Sequence, residues 1–308
     1  VTLTEMRYIV ALARERHFGR AAESCHVSQP TLSVAIKKVE GQLGTALFER
    51  NAAEVRITPV GERIVAQSQR VLEEALKLEE IADEGRDPLT GSLRLGVIYT
   101  IAPYLLPQLI PALHREAPAM PLFLKEDFTG NLIPALKAGE LDVIVIALPF
   151  SESGLVAQAV YDEPFRVVVP AGHDWVGRPG IRPDELEGQD LLLLGQGNCF
   201  RDQVIESCPR LSAPEGLANS LEGSSLETIR YMVASGAGVA VMPSTAADPL
   251  MEREPLVRVL PFVPGDDGSL PARRVGLVWR VTFPRPQAID AVRAAILSCQ
   301  LPGATPVR

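Results

Sequence analysis

The chain has 308 residues, 46% hydrophobic and 22% charged, which predicts two folded units, each with a sizeable core. With 24 glycines, 26 prolines and only four cysteines it is neither a low-complexity chain nor a disulfide scaffold. Its apolar runs are too short to span a bilayer and its first residues follow an amphipathic pattern, so a soluble, cytoplasmic protein with no membrane partner is expected. The net charge of −8 is unevenly shared: residues 1–58 carry eight Lys/Arg against six Asp/Glu, a net +2, while the remainder carries −10.

The first 45 residues read as helices. Met6, Ile9, Val10 and Ala13 recur at helical spacing behind Thr4, the expected N-cap, and Glu5 suits the positive end of the helix dipole. A second, short helix holds Ala21 and Ala22, small enough for close helix approach. A third begins from Ser28 as N-cap with Pro30 in its first turn, and places Leu32, Ile36, Val39 and Leu43 on one buried stripe. Gln29, Ser33 and Lys37 fall on a different, polar face. Leu47 to Arg50 and Val55 to Ile57 bracket a polar turn and predict a small hairpin wing. Thr58-Pro59 then opens a helix to about Asp83, in which Ile64, Ser68, Val71, Ala75, Leu78 and Ala82 alternate in steps of four and three. That seam fits a helix packed on its own domain and a dimerising helix equally well. Residues 84–90 have the composition of a hinge.

From Gly91 the pattern changes to alternating strands and helices. Strands are expected at Leu93–Tyr99, Leu122–Glu126, Val143–Leu148, Phe165–Val169, Leu191–Leu194, Val239–Met242 and Arg274–Val281. Helices are expected near Tyr104–Arg115, Leu132–Ala138, Arg201–Ser207, Ser225–Ala234 and Pro286–Cys299. Alternation of this kind, with nearly continuous apolar strands, argues an α/β body with buried sheets, and its length suits two similar lobes joined by a crossover.

The strongest chemical signal lies in the head. The run from Phe18-Gly19-Arg20-Ala21-Ala22 through Ser28-Gln29-Pro30-Thr31-Leu32-Ser33, and on through Ile36, Glu40, Leu43-Gly44, Leu47-Phe48 and Arg50, resembles the LysR-type transcriptional regulators. Physically, a helix-turn-helix offers the first residues of its second helix to the major groove. Gln29, Pro30, Thr31 and Ser33 lie there for base or phosphate contact, and Lys37 and Arg50 suit phosphates. The resemblance implies a mainly α winged helix-turn-helix domain over 1–58, a linker and dimerisation helix with hinge over 59–90, and a two-lobed α/β regulatory domain over 91–308 similar to periplasmic binding proteins. It also implies promoter DNA and RNA polymerase as partners, a homotetramer built as a dimer of dimers, and no cofactor or metal.

A second signal is Gly195-Gln196-Gly197-Asn198-Cys199-Phe200-Arg201-Asp202, followed by Cys208-Pro209. It resembles the redox motif of the hydrogen-peroxide-sensing branch of the same family. The resemblance implies a peroxidatic Cys199, a resolving Cys208, and peroxide held by Thr100, Thr129, Gly197, Asn198 and Asp202, with glutaredoxin or thioredoxin as reductant. Members of that branch commonly carry His before the reactive cysteine; this chain has Asn198, an amide donor that is no base. The residues themselves support the chemistry: Cys199 follows a Gly-x-Gly turn and opens a helix, where the dipole and Arg201 favour a thiolate. On an intact helix Cys199 and Cys208 lie too far apart to bond, so pairing implies unwinding. Thr100 and Thr129 each follow a strand and precede a helix, a position equally suited to N-capping and to lining a crevice. Cys25 and Cys299 read as packing residues, and His114 and His173 as surface or structural ones. Two alternatives remain: a regulator governed by a small carboxylate or aromatic effector between the lobes, and a thiol peroxidase, which has no use for a recognition helix.

Overall fold

The computed structural model describes residues 1–50, 55–82, 89–207, 221–264, 268 and 270–307. Two compact units result, one comprising Val1–Pro88 with Lys137–Glu140 and the other Leu89–Leu136 with Leu141–Arg308. Among the described residues no helix is long and apolar enough to cross a membrane.

In the first unit, α1 (Leu3–Glu15), α2 (Phe18–Ser24) and α3 (Gln29–Leu43) precede a hairpin of β1 (Phe48–Arg50) and β2 (Val55–Ile57), then α4 (Pro59–Ala82). The cap of α1 is Thr2 rather than Thr4. Thr2 Oγ1 accepts from the Glu5 N–H at 3.2 Å and Glu5 Oε2 accepts from the Thr2 N–H at 2.7 Å, a reciprocal box that only a residue three before a glutamate can close. Ser28 caps α3 as expected, accepting from the Thr31 N–H, and Pro30 sits in the first turn. Leu32, Ile36 and Val39 are fully buried against Ile9, Leu12 and Ala21. Leu43 is exposed instead, because α3 ends there at a left-handed Gly44, past the end of the packed stripe. Glu40 Oε1 accepts from the Leu47 and Phe48 N–H groups and so ties the hairpin to α3. Ile64 and Val65 pack on the same core and Ser68 is buried, so the first half of α4 lies on its own head. Leu78 and Ala82 lie outside the described side chains.

The second unit contains β3 (Leu93–Ile98), α5 (Ala102–Glu116), β4 (Leu122–Asp127), α6 (Thr129–Lys137), β5 (Val143–Leu148), β6 (Leu155–Pro170), β7 (Leu191–Leu194), α7 (Cys199–Ser207) and β8 (Leu221–Gly223). It continues with α8 (Leu226–Ala234), β9 (Val239–Pro243), the short α9 (Ser244–Ala247) and α10 (Leu250–Arg253), β10 (Val257–Pro261), β11 (Ala272–Arg280), α11 (Pro286–Ser298) and β12 (Thr305–Pro306). The strands run in the order β4-β3-β5-β11-β6-β9-β7-β8, with β10 and β12 also on β6. Two lobes follow from one strand. The first part of β6 pairs with β11, Glu163 opposite Arg273, and the last part with β9 and β10, Val168 opposite Ala240 and Val259.

Each lobe has its own core: Leu95, Val97, Leu109, Val145, Leu277 and Val292 represent the first, and Val167, Leu192, Ile229, Val241 and Leu260 the second. The chain leaves the first lobe along β6 and returns through β11, which is the crossover expected from the late strand near Val275. Several features were not anticipated, β12 and the short α9 and α10 among them. The 155–164 part of β6 is half-buried or exposed over residues 155–159 and buried only at Val160, Tyr161 and Glu163, and it lacks the continuous apolar run that marks its second part. β8 is three residues long, and β10 lies on an edge with only Val257 and Leu260 buried.

Candidate functional site

Cys199 is the first residue of α7, and the turn before it is built by the Gly195–Asn198 sequence. Gly197 has a φ of +89°, open to glycine at little cost. The Asn198 N–H and its side-chain Nδ2 both donate to the Gly195 carbonyl, at 3.4 and 3.1 Å. One donor of the amide expected to face peroxide is thus committed to its own turn. Phe200 inserts into the second-lobe core, edge-on to Phe165 at 5.1 Å between centroids, while the half-buried Cys199 packs against the core of the first lobe. There Thr129 Oγ1, on the first residue of α6, donates to Cys199 Sγ at 3.7 Å. An anion at this sulfur is therefore offered a hydroxyl from one lobe and the positive end of a helix dipole from the other.

Thr100 lies buried in the turn after β3, and Arg273 holds it: Nη1 donates to Thr100 Oγ1 and Nη2 to the Thr100 carbonyl, both at 2.9 Å. The same guanidinium donates through Nε to Glu163 Oε2 at 2.6 Å and lies over the Phe200 ring at 5.2 Å from its centroid. Glu163 Oε1 in turn accepts from the Thr245 N–H and hydroxyl at the start of α9. Sequence reasoning missed Arg273, Glu163 and Thr245. The one signal was an arginine at the mouth of a strand that then runs Val275-Gly276-Leu277-Val278 without a charge.

Gly197 and Asp202 are exposed beside Cys199, Asp202 in the first turn of α7. Arg201, expected to favour a thiolate, donates through Nη1 to the Leu194 carbonyl at 2.9 Å and to Glu222 Oε1 at 2.7 Å, so its charge is shared with β7 and β8. Cys208 lies outside the described residues. Residues 199–207 form an unbroken helix, whose eight rises separate the first and last Cα by about 12 Å. A further bond between the lobes is made by Tyr104 of α5, which packs against the second core and donates to Glu227 Oε1 at 3.2 Å; burial pushes its phenol pKa up.

In the head, Gln29, Pro30, Thr31 and Lys37 are exposed and Ser33 half-buried along α3. The Thr31 hydroxyl lies 2.8 Å from that of Ser28 and shares in the cap. Val34, 66% exposed between Pro30 and Lys37, is an apolar residue on this face that sequence reasoning passed over. Arg50 ends β1, and its side chain lies outside the description. Lys38 points elsewhere: its Nζ meets Glu5 Oε1 at 2.8 Å and fixes α3 against α1. The Lys38 ammonium and the Thr2 N–H hold the Glu5 carboxyl down to about 2 from 4.5. A depressed carboxylate stabilises the fold above its unfolded value, and that contribution fades as pH falls from 4.5 toward 2. Thermal unfolding followed across this window should therefore fall less steeply for Lys38→Met than for the parent; equal slopes would show that the pair contributes nothing.

Cys25 packs on the head core, and Cys299 packs on the first lobe core with its thiol donating to the Ala295 carbonyl at 3.2 Å. His114 is exposed at the end of α5. His173 has a partner that the sequence did not reveal: its Nδ1 accepts from the Trp175 N–H at 3.2 Å, and the two rings meet at an angle.

Residues 3–62 match the bacterial regulatory helix-turn-helix protein, lysR family, and residues 86–298 match the LysR substrate binding domain. The chain is 38% identical over 298 residues to the DNA-binding transcriptional dual regulator OxyR of Escherichia coli K12, covering 96% of this chain and 95% of that one. It is similar in structure to full-length OxyR from Pseudomonas aeruginosa, solved as a Cys-to-Asp variant, with a TM-score of 0.77, 50% identity, and 100% and 99% of the two chains covered. The hydrogen-peroxide-bound OxyR of Corynebacterium glutamicum, a cysteine mutant, matches with a TM-score of 0.64 and 32% identity over 96% of this chain and 91% of that one.

Proposed function

The chain belongs to the LysR family of bacterial transcriptional regulators, and we propose that it senses hydrogen peroxide through Cys199. The observation that carries the reading is the Cys199 sulfur at the start of α7 with the Thr129 hydroxyl 3.7 Å away. In the proposed step the thiolate sulfur attacks one peroxide oxygen and the O–O bond breaks. An S–O bond forms as sulfenic acid, and the second oxygen leaves as hydroxide and takes up a proton to become water. The Cys208 thiolate then attacks the sulfenic sulfur, forming the disulfide and expelling the oxygen as water after protonation. Thr129, Thr100, Gly197 and Asn198 bind and orient the peroxide, and Asp202 assists through solvent. Arg273, by holding the Thr100 hydroxyl, belongs to the same machinery.

In this reading residues 1–58 form the DNA-binding domain, 59–90 the linker and 91–308 the redox-sensing domain. Gln29, Pro30, Thr31 and Ser33 read promoter DNA, while Lys37 and Arg50 contact phosphates. A homotetramer, as a dimer of dimers, acts on RNA polymerase, and glutaredoxin or thioredoxin resets the disulfide in the cytoplasm. The protein is oxidised once per signal and is not a turnover enzyme. Association is supported by β4, an edge strand that leaves Phe123 and Leu124 exposed.

The test is mass spectrometry of the reduced protein before and after stoichiometric peroxide. A single linked 199–208 peptide, with Cys25 and Cys299 free, is expected; absence of that link leaves the organic-effector reading in its place. In the head, Lys37→Ala should weaken binding alike on all DNA sequences and lower the salt slope by about one, as loss of one phosphate contact requires. A salt titration with an unchanged slope would remove Lys37 from the interface.

A further inference from the structure

Residues that share a register position on adjacent parallel strands project to the same face of the sheet. β3 and β4 pair in register from Leu93 opposite Leu122 to Ile98 opposite Asp127. The next position sets Tyr99 beside Phe128, each one residue before a threonine of the candidate site, Thr100 in the turn after β3 and Thr129 at the start of α6. Thr100 is buried and Thr129 half-buried, whereas Tyr99 and Phe128 are 43% and 38% exposed. The two rings meet edge to face, with centroids 5.1 Å apart and planes at 73°.

We propose that the Tyr99–Phe128 pair positions the cysteine site, holding the two threonine-bearing strand ends at the spacing that reaction with peroxide requires. The proposal rests on the peroxide-sensing reading of Cys199 and deepens it. β4 is an edge strand of the sheet and, among the described residues, is bonded to β3 alone. Its ladder stops at Asp127, two residues before Thr129 must meet the cysteine sulfur. Thr100 is already fixed from below by Arg273. The ring contact carries the β3–β4 register one step past the last ladder pair and thereby refers the Thr129 hydroxyl to Thr100. Rings left this exposed add little to a core, so their contribution lies in geometry, where small displacements of an orienting hydroxyl cost rate.

The experiment compares two reactions of Cys199 in the reduced full chain. One is oxidation by hydrogen peroxide, followed by stopped flow; the other is alkylation by iodoacetamide, followed by mass spectrometry, which needs the thiolate but no oriented oxygen. Tyr99→Ala and Phe128→Ala should each slow oxidation about 3- to 10-fold, the rate equivalent of an aromatic pair's extra worth, and leave alkylation unchanged. The double variant should be no slower than either single one, and Tyr99→Phe, which keeps the ring, should match the parent. Phe128→Leu keeps the apolar cover without the ring edge and should be slow as well, so a poorly folding alanine variant leaves the question decided. Unchanged oxidation in these variants, parallel loss of both reactions, or multiplicative slowing in the double variant overturns the proposal. Failure of the underlying reading looks different: Cys199 of the parent would then react with peroxide no faster than Cys25 or Cys299, and the positioning role would fall with it.

Discussion

Cys199→Ser is expected to abolish the fast reaction with peroxide outright, while Cys208→Ser should react at the parent rate and stop at the sulfenic acid. A serine hydroxyl at the start of α7 would keep the hydrogen bond from Thr129 but supplies no thiolate, and the thiolate is the nucleophile. Dimedone labelling of Cys199 in Cys208→Ser, and its absence in Cys199→Ser, separates the two steps. In the proposed mechanism the second step carries the switch. A disulfide needs Cα atoms about 4.4–6.8 Å apart, and the intact helix from 199 to 207 holds its ends at roughly twice that separation. Bond formation must therefore unwind α7. That withdraws Arg201 from the Leu194 carbonyl and Glu222, and Phe200 from its place against Phe165. Amide hydrogen exchange over 199–207 should accelerate in the oxidised parent but not in peroxide-treated Cys208→Ser. A linked 199–208 peptide with unaltered exchange would mean that the bond forms without the switch.

The head was legible almost residue by residue because its signals are local. A serine cap, a proline in the first turn and an i, i+4, i+7 stripe each operate within one helix, and Ser28, Pro30, Leu32, Ile36 and Val39 behave accordingly. The misses there have local causes too: Thr2 outcompetes Thr4 because Glu5 can close a box only with Thr2, and Leu43 sits where the helix stops. In the body, continuous apolar strands were readable, whereas the first part of β6 was not. Its mostly half-buried and exposed residues become a strand only when β11, more than a hundred residues later, pairs with them. The site divides along the same line. Cys199 and Thr129 announced themselves at element ends. The ion pair of Arg273 with Glu163 and the contact of Tyr99 with Phe128 exist only through strand pairing, which one chain read in order does not display.

Glu163→Ala should be the most damaging single change to stability outside the apolar cores. Both Glu163 and Arg273 have side chains with 0% exposure. Each carboxylate oxygen and each of the three guanidinium nitrogens has a partner: Oε2 and Nε bond to each other, Oε1 is bound by Thr245, and Nη1 and Nη2 bind Thr100. Such a pair is near neutral against an apolar replacement, but removing one member strands a charge where water cannot reach it, at about 3–5 kcal/mol. For a unit of this size that corresponds to a fall of roughly 6–20 °C in melting temperature. Arg273→Met combined with Glu163→Leu removes both charges and should cost less than either single change, the signature of a coupled buried pair. Function should not return with stability. Without the guanidinium the Thr100 hydroxyl loses its anchor and Phe200, next to Cys199, loses the cation above its ring, so the double variant should fold yet react slowly with peroxide. A Glu163→Ala protein that melts with the parent would show that the charge finds another partner, and that the pair does not tie Thr100 of the first lobe to Thr245 of the second.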